Sequence, residues 1–177
     1  ANPVDIRFTG LAPIVDTVAA ASLTVNGTDA ANTISVTNAS VSPRLRIAVD
    51  AFEPIDLNNK TAVTINGGDG IAGGDAADTI TVNYTNAPAA LTTLVVRGDE
   101  GNDVITVLAR SGSHGVTLNG GGNDDQLNAA ATVAGAGTIN LIGGDGNDAL
   151  VGGGGNDSFD GGAGNDTFIG NGGTENV

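Results

Sequence analysis

The apolar positions of this chain alternate. Pairs two residues apart stand at Leu23 and Val25, Val63 and Ile65, Leu94 and Val96, Val116 and Leu118, and Ile139 and Leu141, and each pair is followed by a glycine, Gly27, Gly67, Gly98, Gly120 and Gly143. A stretch of Gly, Asp and Asn comes next, and beyond it alternation resumes in TISV (33–36), TITV (79–82) and VITV (104–107). A period of two marks strands with one buried face rather than helices. The pattern predicts an all-β chain whose unit reads strand, glycine–acid turn, strand, irregular return.

Glycine–acid turns starting at 73, 98, 120 and 143 lie 25, 22 and 23 residues apart, and the turn at 27 precedes that at 73 by 46 residues, or two such periods. The member missing between them is expected at 48–55, where Asp50 and Glu53 supply acids without a glycine. Each unit is then one coil of a parallel solenoid. From 143 the turn recurs every nine residues: GGDGNDALV (143–151), GGGGNDSFD (152–160), GGAGNDTFI (161–169) and a partial GNGGTENV that reaches Val177. Each full copy has an acid at its sixth place (Asp148, Asp157, Asp166) and at its eighth an apolar residue predicted to enter a core (Leu150, Phe159, Phe168). With the turn on both edges a coil shortens to eighteen residues, two copies of nine. Turns starting at 73, 98, 120, 143 and 161 should stack on one edge, those at 152 and 170 on the other. The chain therefore divides into 1–22, read as a cap or docking extension, 23–142 with long coils, and 143–177 with short ones.

Composition narrows the chemistry. Twenty acids against six bases give a net charge of −14, which argues against nucleic acid as a partner. After Arg110 there are eight acids and no Lys or Arg, and carboxylates in register repel unless a cation lies between them. Twenty-nine glycines and five aromatic residues leave room only for a thin β core of Val, Ile, Leu and Ala. Without Cys there is no disulfide, and with His114 as the one histidine there is no ligand set for zinc. No apolar run is long enough for a membrane-spanning helix. The opening at Ala1 without Met suits a mature form after signal cleavage.

Glycine reaches positive φ cheaply, so GGxG makes a tight turn with its carbonyls turned inward. The carboxylate after it adds the oxygen a hard cation such as Ca²⁺ requires, and stacked turns together supply the six to eight oxygens it takes. Asp78, Asp103, Asp125, Asp148, Asp157 and Asp166 are the candidate ligands, each shared between stacked turns. Asn32 brings no charge to the turn at 27, and Glu175 stands at the sixth place of the last, partial copy.

The spelling GGxGxDxUx, in register over 143–169, resembles the calcium-binding nonapeptide of RTX (repeats-in-toxin, hemolysin-type) proteins. The resemblance implies a right-handed parallel β-roll or β-helix, carbonyl ligands at the first and third places (Gly143 and Asp145, Gly152 and Gly154, Gly161 and Ala163), and a bacterial protein that folds outside the cell; an ion is expected wherever two acid-bearing turns stack, about five Ca²⁺ in all. For catalysis the inventory is poor: His114, in the connecting turn SGSHG, is read as exposed and inert, so neither an enzyme nor a small-molecule substrate is expected. The function expected is a secreted structural module (surface layer, adhesin stalk or self-associating fibre), the alternative an accessory secretion and folding module of an exported enzyme or toxin. A third reading, ice binding, rests on outward Thr33, Ser35, Thr79, Thr81, Thr106 and Thr167 and is weakened by Val104, Gln126, Asn128, Ala149 and Asp160 at corresponding places. The triplet Arg97-Gly98-Asp99 and the N-x-S/T sites have local or chance explanations.

Overall fold

The computed structural model describes residues 14–16, 20–70, 74–132 and 137–177. The expected turn start at Gly73 and most of the 1–22 extension lie outside the described residues. Fifteen strands and no helix are found among those described: β1 (Ile14–Asp16), β2 (Ala20–Asn26), β3 (Thr33–Asn38), β4 (Leu45–Val49), β5 (Ile55–Leu57), β6 (Lys60–Asn66), β7 (Thr79–Asn83), β8 (Thr93–Glu100), β9 (Val104–Ala109), β10 (Gly115–Gly122), β11 (Gln126–Asn128), β12 (Ile139–Asp145), β13 (Ala149–Val151), β14 (Ser158–Ala163) and β15 (Thr167–Ile169). They form two sheets. One runs β1-β5-β4-β3-β7-β9-β11-β13-β15 and the other β14-β12-β10-β8-β6-β2. From β6 onward successive strands alternate between the sheets, so each strand pairs in parallel with the one two further along.

Register obeys the alternating pairs. In the six-stranded sheet Val25, Ile65, Val96, Leu118, Leu141 and Phe159 stack in one row, with Leu23, Val63, Leu94, Val116 and Ile139 beside them. Facing them, Ile34, Ile80, Ile105, Leu127, Leu150 and Phe168 form a row of the nine-stranded sheet. Most of these side chains are fully buried and belong to one core. A one-residue slip would turn a whole row to water, which is why the apolar period sets the register. Phe168 departs from expectation: it is 37% exposed, because β15 is an edge strand, and Phe159 packs against it ring edge to face at 5.8 Å.

The first part of the chain differs from the expected pair of coils. β2 pairs directly with β6, and β3 directly with β7, so the interval from 27 to 73 contains one unit. Residues 48–55 do not make the missing coil. Instead β4 runs antiparallel to β3 and β5 antiparallel to β4, extending the nine-stranded sheet sideways. The reason is local: after β3 the chain closes a tight reversal in which Ala39 N–H donates to Arg44 O and Arg44 N–H to Val41 O. Arg46 then grips Asp56 across β4 and β5 with two hydrogen bonds of 2.7 and 2.9 Å. The glycine that stacks with Gly27 and Gly98 is accordingly Gly67, at the end of β6.

His114 also corrects the sequence reading. It is buried at 7% exposure, its ring stacked on Tyr84 and hydrogen-bonded to the Tyr84 hydroxyl, while Arg110 Nη1 donates to its carbonyl at 3.0 Å. The connecting turn folds over the end of the core because Tyr84 needs a polar partner for a buried hydroxyl. Burial and the neighbouring Arg110 hold the imidazole below its ordinary pKa, so it is a neutral packing element.

The packing makes a direct prediction. Leu118 is fully buried in the middle of its row, so Leu118→Ala should lower unfolding free energy by about 3 kcal/mol. Urea unfolding in the presence of calcium will measure it.

Candidate metal centre

Each strand of the nine-stranded sheet from β7 to β13 begins immediately after a buried aspartate: Asp78, Asp103, Asp125 and Asp148 are 1–2% exposed. Parallel pairing places these residues one above another. The Oδ1 of each accepts the backbone N–H of its predecessor in the stack: Asn32 to Asp78 at 2.6 Å, Asp78 to Asp103 at 2.7 Å, Asp103 to Asp125 at 2.7 Å, Asp125 to Asp148 at 2.8 Å and Asp148 to Asp166 at 3.0 Å. One carboxylate oxygen per turn thus belongs to the sheet.

The other oxygen does not. Oδ2 of Asp78, Asp103, Asp125 and Asp148 is sealed from solvent and meets no hydrogen-bond donor among the described residues. It lies against the first glycine of the turn, where a Cβ would come within 2.0 Å of Asp78 at Gly67, 2.0 Å of Asp103 at Gly98, 2.1 Å of Asp125 at Gly120 and 2.2 Å of Asp148 at Gly143. Backbone oxygens of the next turn border the same spaces: Gly98 O would stand 2.4 Å from a Gly67 Cβ, Gly120 O 2.6 Å from a Gly98 Cβ, and Gly161 O 2.5 Å from a Gly143 Cβ. A donorless carboxylate oxygen and a backbone carbonyl oxygen thus border one space that only glycine leaves open. Such an oxygen set fits a hard cation like Ca²⁺ and suits neither zinc nor a thiolate metal. No three acidic or imidazole side chains gather into one metal cluster among the described residues. One carboxylate per turn and backbone carbonyls make up the donor set instead.

Burial and mutual repulsion raise the carboxyl pKa values along the stack. Desolvation is the first cause throughout, neighbouring carboxylates add to it, and the backbone N–H bond opposes it. Asp78 is pushed up to about 6, Asp103 to about 7 and Asp125 to about 8, and Asp148 is also raised.

The residue four before each of these acids adopts positive φ: Gly74, Asp99, Gly121, Gly144 and, before Asp166, Gly162. At Gly144 a Cβ would strike Gly121 O at 2.0 Å, and at Gly162 it would strike Gly144 O at 2.1 Å, so glycine is required both by φ and by the spacing of stacked turns. Gly144→Ala should therefore weaken this edge far more than an Ala substitution on an exposed strand face, lowering Tm in calcium by several degrees. Thermal scans of the two variants give the comparison.

A second ladder lies beyond the sequence reading. At the fifth place, Asn102 Oδ1 accepts Asp124 N–H at 3.3 Å, Asp124 Oδ1 accepts Asn147 N–H at 2.7 Å and Asn147 Oδ1 accepts Asn165 N–H at 3.0 Å. It runs in the sense opposite to the sixth-place ladder. A signal for it exists, since Asn or Asp precedes the acid in every one of these turns.

The other expected ligands divide between the two edges. Asp166 is half-buried, its Oδ2 2.2 Å from where a Gly161 Cβ would be. Asp157 lies on the other edge, where the turns at 152 and 170 stack: Asp157 N–H donates to Glu175 Oε2 at 3.0 Å, and Thr174 N–H to Asn156 Oδ1 at 2.9 Å. Both Asp157 oxygens are engaged, Oδ1 by Ile139 N–H at 3.0 Å and Oδ2 by Gly153 N–H at 2.7 Å. Gly143 is buried against Asp148, while Asp145 is exposed and in register with Ala163. The Ala163 carbonyl accepts Gly146 N–H at 2.8 Å, and Gly152 and Gly154 donate their N–H groups to Ile169 O and Thr132 O.

Residues 142–174 match the family model described as RTX calcium-binding nonapeptide repeat (4 copies). That segment is an array of RTX repeats, and RTX nonapeptide repeats bind Ca²⁺. The comparisons found no matching curated protein and no matching solved structure. Among the described residues no helix is long and apolar enough to cross a membrane.

The raised carboxyl values fix the sign of a pH dependence. Between the ordinary carboxylate value of 3.8 and about 8 the metal-free folded chain binds more protons than the unfolded chain, so its stability falls as pH rises through that window. In EDTA, the fraction of the chain that is folded, read by circular dichroism, should be greater at about pH 5 than at about pH 8. In calcium the trend should reverse, with protons released on binding, because the ion needs the carboxylates ionised.

Proposed function

We propose that this chain is a secreted, calcium-binding right-handed β-roll or β-helix solenoid that serves as an extracellular structural module and whose folding is coupled to Ca²⁺. The observation that carries the reading is the file of buried Oδ2 atoms on Asp78, Asp103, Asp125 and Asp148 with no donor among the described residues. In this reading each ion sits between a sixth-place carboxylate and first-place carbonyls of adjoining turns, along the edge that continues to Asp166. On the opposite edge Asp157 and the partial turn at Glu175 form a site only once Gly153 turns left-handed and releases Asp157 Oδ2. About five ions fill the array.

Uncompensated carboxylates explain the coupling. Without the ion the folded state keeps repelling, desolvated oxygens next to one another, and unfolding returns them to water. A ligand at a hundred times its Kd adds about 3 kcal/mol per site, so several sites together dominate the stability of a thin-cored chain. The proposed structural role is supported by edge strand β15, which exposes Phe168 and Ile169 and so offers a surface for self-association.

Sedimentation velocity in EDTA and then in millimolar calcium tests the reading. An expanded species that compacts on adding calcium is the expected outcome, with concentration-dependent larger species if the module self-assembles. One compact monomer at all concentrations would remove the assembly role and favour an accessory module of a larger exported protein. No change between the two conditions would overturn the calcium reading itself. Calorimetry adds residue resolution: Asp148→Ala should weaken binding at the two sites flanking it, whereas unchanged stoichiometry and affinity would exclude Asp148 as a ligand.

A further inference from the structure

The turn at Gly27 occupies the first position of the ladder, yet it lacks the open oxygen of its successors. Its sixth-place residue is Asn32, 5% exposed. Asn32 Oδ1 accepts Thr28 N–H at 2.6 Å, which closes the turn on itself. Asn32 Nδ2 donates to Asp50 Oδ2 at 2.6 Å, and Asp50 Oδ1 accepts Thr33 N–H at 2.7 Å. In later turns the N–H equivalent to that of Thr33 is taken by the preceding turn's backbone, as Thr79 N–H is by Asn32 O and Val104 N–H by Asp78 O. Among the described residues no turn precedes that at Gly27 in the ladder, and the Asp50 carboxylate, delivered by the antiparallel strand β4, fills the place.

The same closure recurs on the other edge. In the turn at 152, Gly153 N–H donates to Asp157 Oδ2 at 2.7 Å, again from the residue four before the acid. The two closed turns share a backbone feature: neither Thr28 nor Gly153 has positive φ, whereas the residue at this place is left-handed before every ladder acid from Asp78 to Asp148 and before Asp166. At the ladder aspartates left-handed backbone goes with an open carboxylate oxygen, and at Asn32 and Asp157 its absence goes with closure by an N–H. Gly153 is free to adopt either form, but Thr28 is not, since positive φ is strongly disfavoured for a β-branched residue. Asn32 completes the lock by providing the N–H donor to Asp50 that a carboxylate lacks.

We propose that Thr28, Asn32 and Asp50 form a metal-independent cap on the ladder, a preformed end from which calcium-coupled ordering of the turns at Asp78 and beyond proceeds. The ordering of those later turns rests on the calcium reading proposed for this chain; the cap itself does not. In the cap a hydrogen-bond donor does for Asn32 what the ion does for the later carboxylates, and an amide in place of a carboxylate removes the charge that would demand one.

Amide hydrogen exchange in EDTA and in calcium separates the two ideas. The Thr28 and Thr33 amides should be protected in both conditions, and those of Asp103 and Asp125 protected strongly only in calcium. Asp50→Ala should speed exchange at Thr33 by about tenfold or more in EDTA, as expected for losing a hydrogen bond to a charged group, and leave calcium stoichiometry unchanged. Thr28→Gly combined with Asn32→Asp should open the turn and raise the number of calcium ions bound per chain by one over the wild type. Random-coil exchange at Thr28 and Thr33 in EDTA would overturn the cap, as would a fall in stoichiometry in Asp50→Ala, which would make Asp50 a ligand instead. A wild-type chain that binds no calcium but keeps Thr28 and Thr33 protected would sustain the cap and overturn the metal reading alone.

Discussion

A buried carboxylate oxygen with no donor is the constraint on which this structure turns. Each ladder aspartate commits one oxygen to the backbone of its neighbour and leaves the other facing carbonyls. A single such group would be a strongly destabilising defect in an apolar core. Repeated in register it becomes, in the calcium reading proposed for this chain, a binding architecture, because the same geometry that strips each oxygen of donors places a second acceptor of the next turn beside it. The fold therefore carries a built-in demand for positive charge, and its thin core of Val, Ile and Leu rows cannot offset that demand by itself.

The glycines serve this arrangement in two distinct ways. First-place glycines lie flat against the carboxylates, where any Cβ would occupy the space between oxygens, while second- and fourth-place glycines provide the left-handed backbone and the close approach of stacked turns. Asp99 and Asn123 hold positive φ without being glycine. Asp and Asn tolerate that region better than other residues, since their short polar side chains bond locally. The amide ladder through Asn102, Asp124 and Asn147 then ties the solvent side of the same turns.

The two edges are not equivalent. Along the edge from Asp78 to Asp166 the turns face acid-bearing turns and stay open. On the other edge the turn at 152 has the turn at 170 on one side and the non-repetitive turn at 129–132 on the other, where Gly154 N–H bonds Thr132 O. There Asp157 is closed by its own turn. Whether a turn is open is thus a property of its neighbours as much as of its own nine residues, and the identical spelling GGxGND gives both forms.

Much of this was legible in the sequence for a simple reason: a parallel stack of short units writes its register into a linear period. Strand positions, the inward rows through Leu118 and Ile105, and the column of Asp78, Asp103, Asp125 and Asp148 come from alternation of two and spacing of the glycine–acid turns. Tertiary structure decided what has no period. The chain between β3 and β6 carries acids and alternating apolar residues that suit a coil, yet a tight reversal after Asn38 and the Arg46–Asp56 pair turn it antiparallel. His114 looked like a loop residue because nothing nearby in sequence announces that Tyr84, thirty residues away, needs its ring. Asp50 likewise acquires its place at the end of the ladder only when β4 folds back beside β3. Local composition determines which turns bring a carboxylate to the sheet edge, whereas long-range pairing determines which oxygens and donors that carboxylate meets.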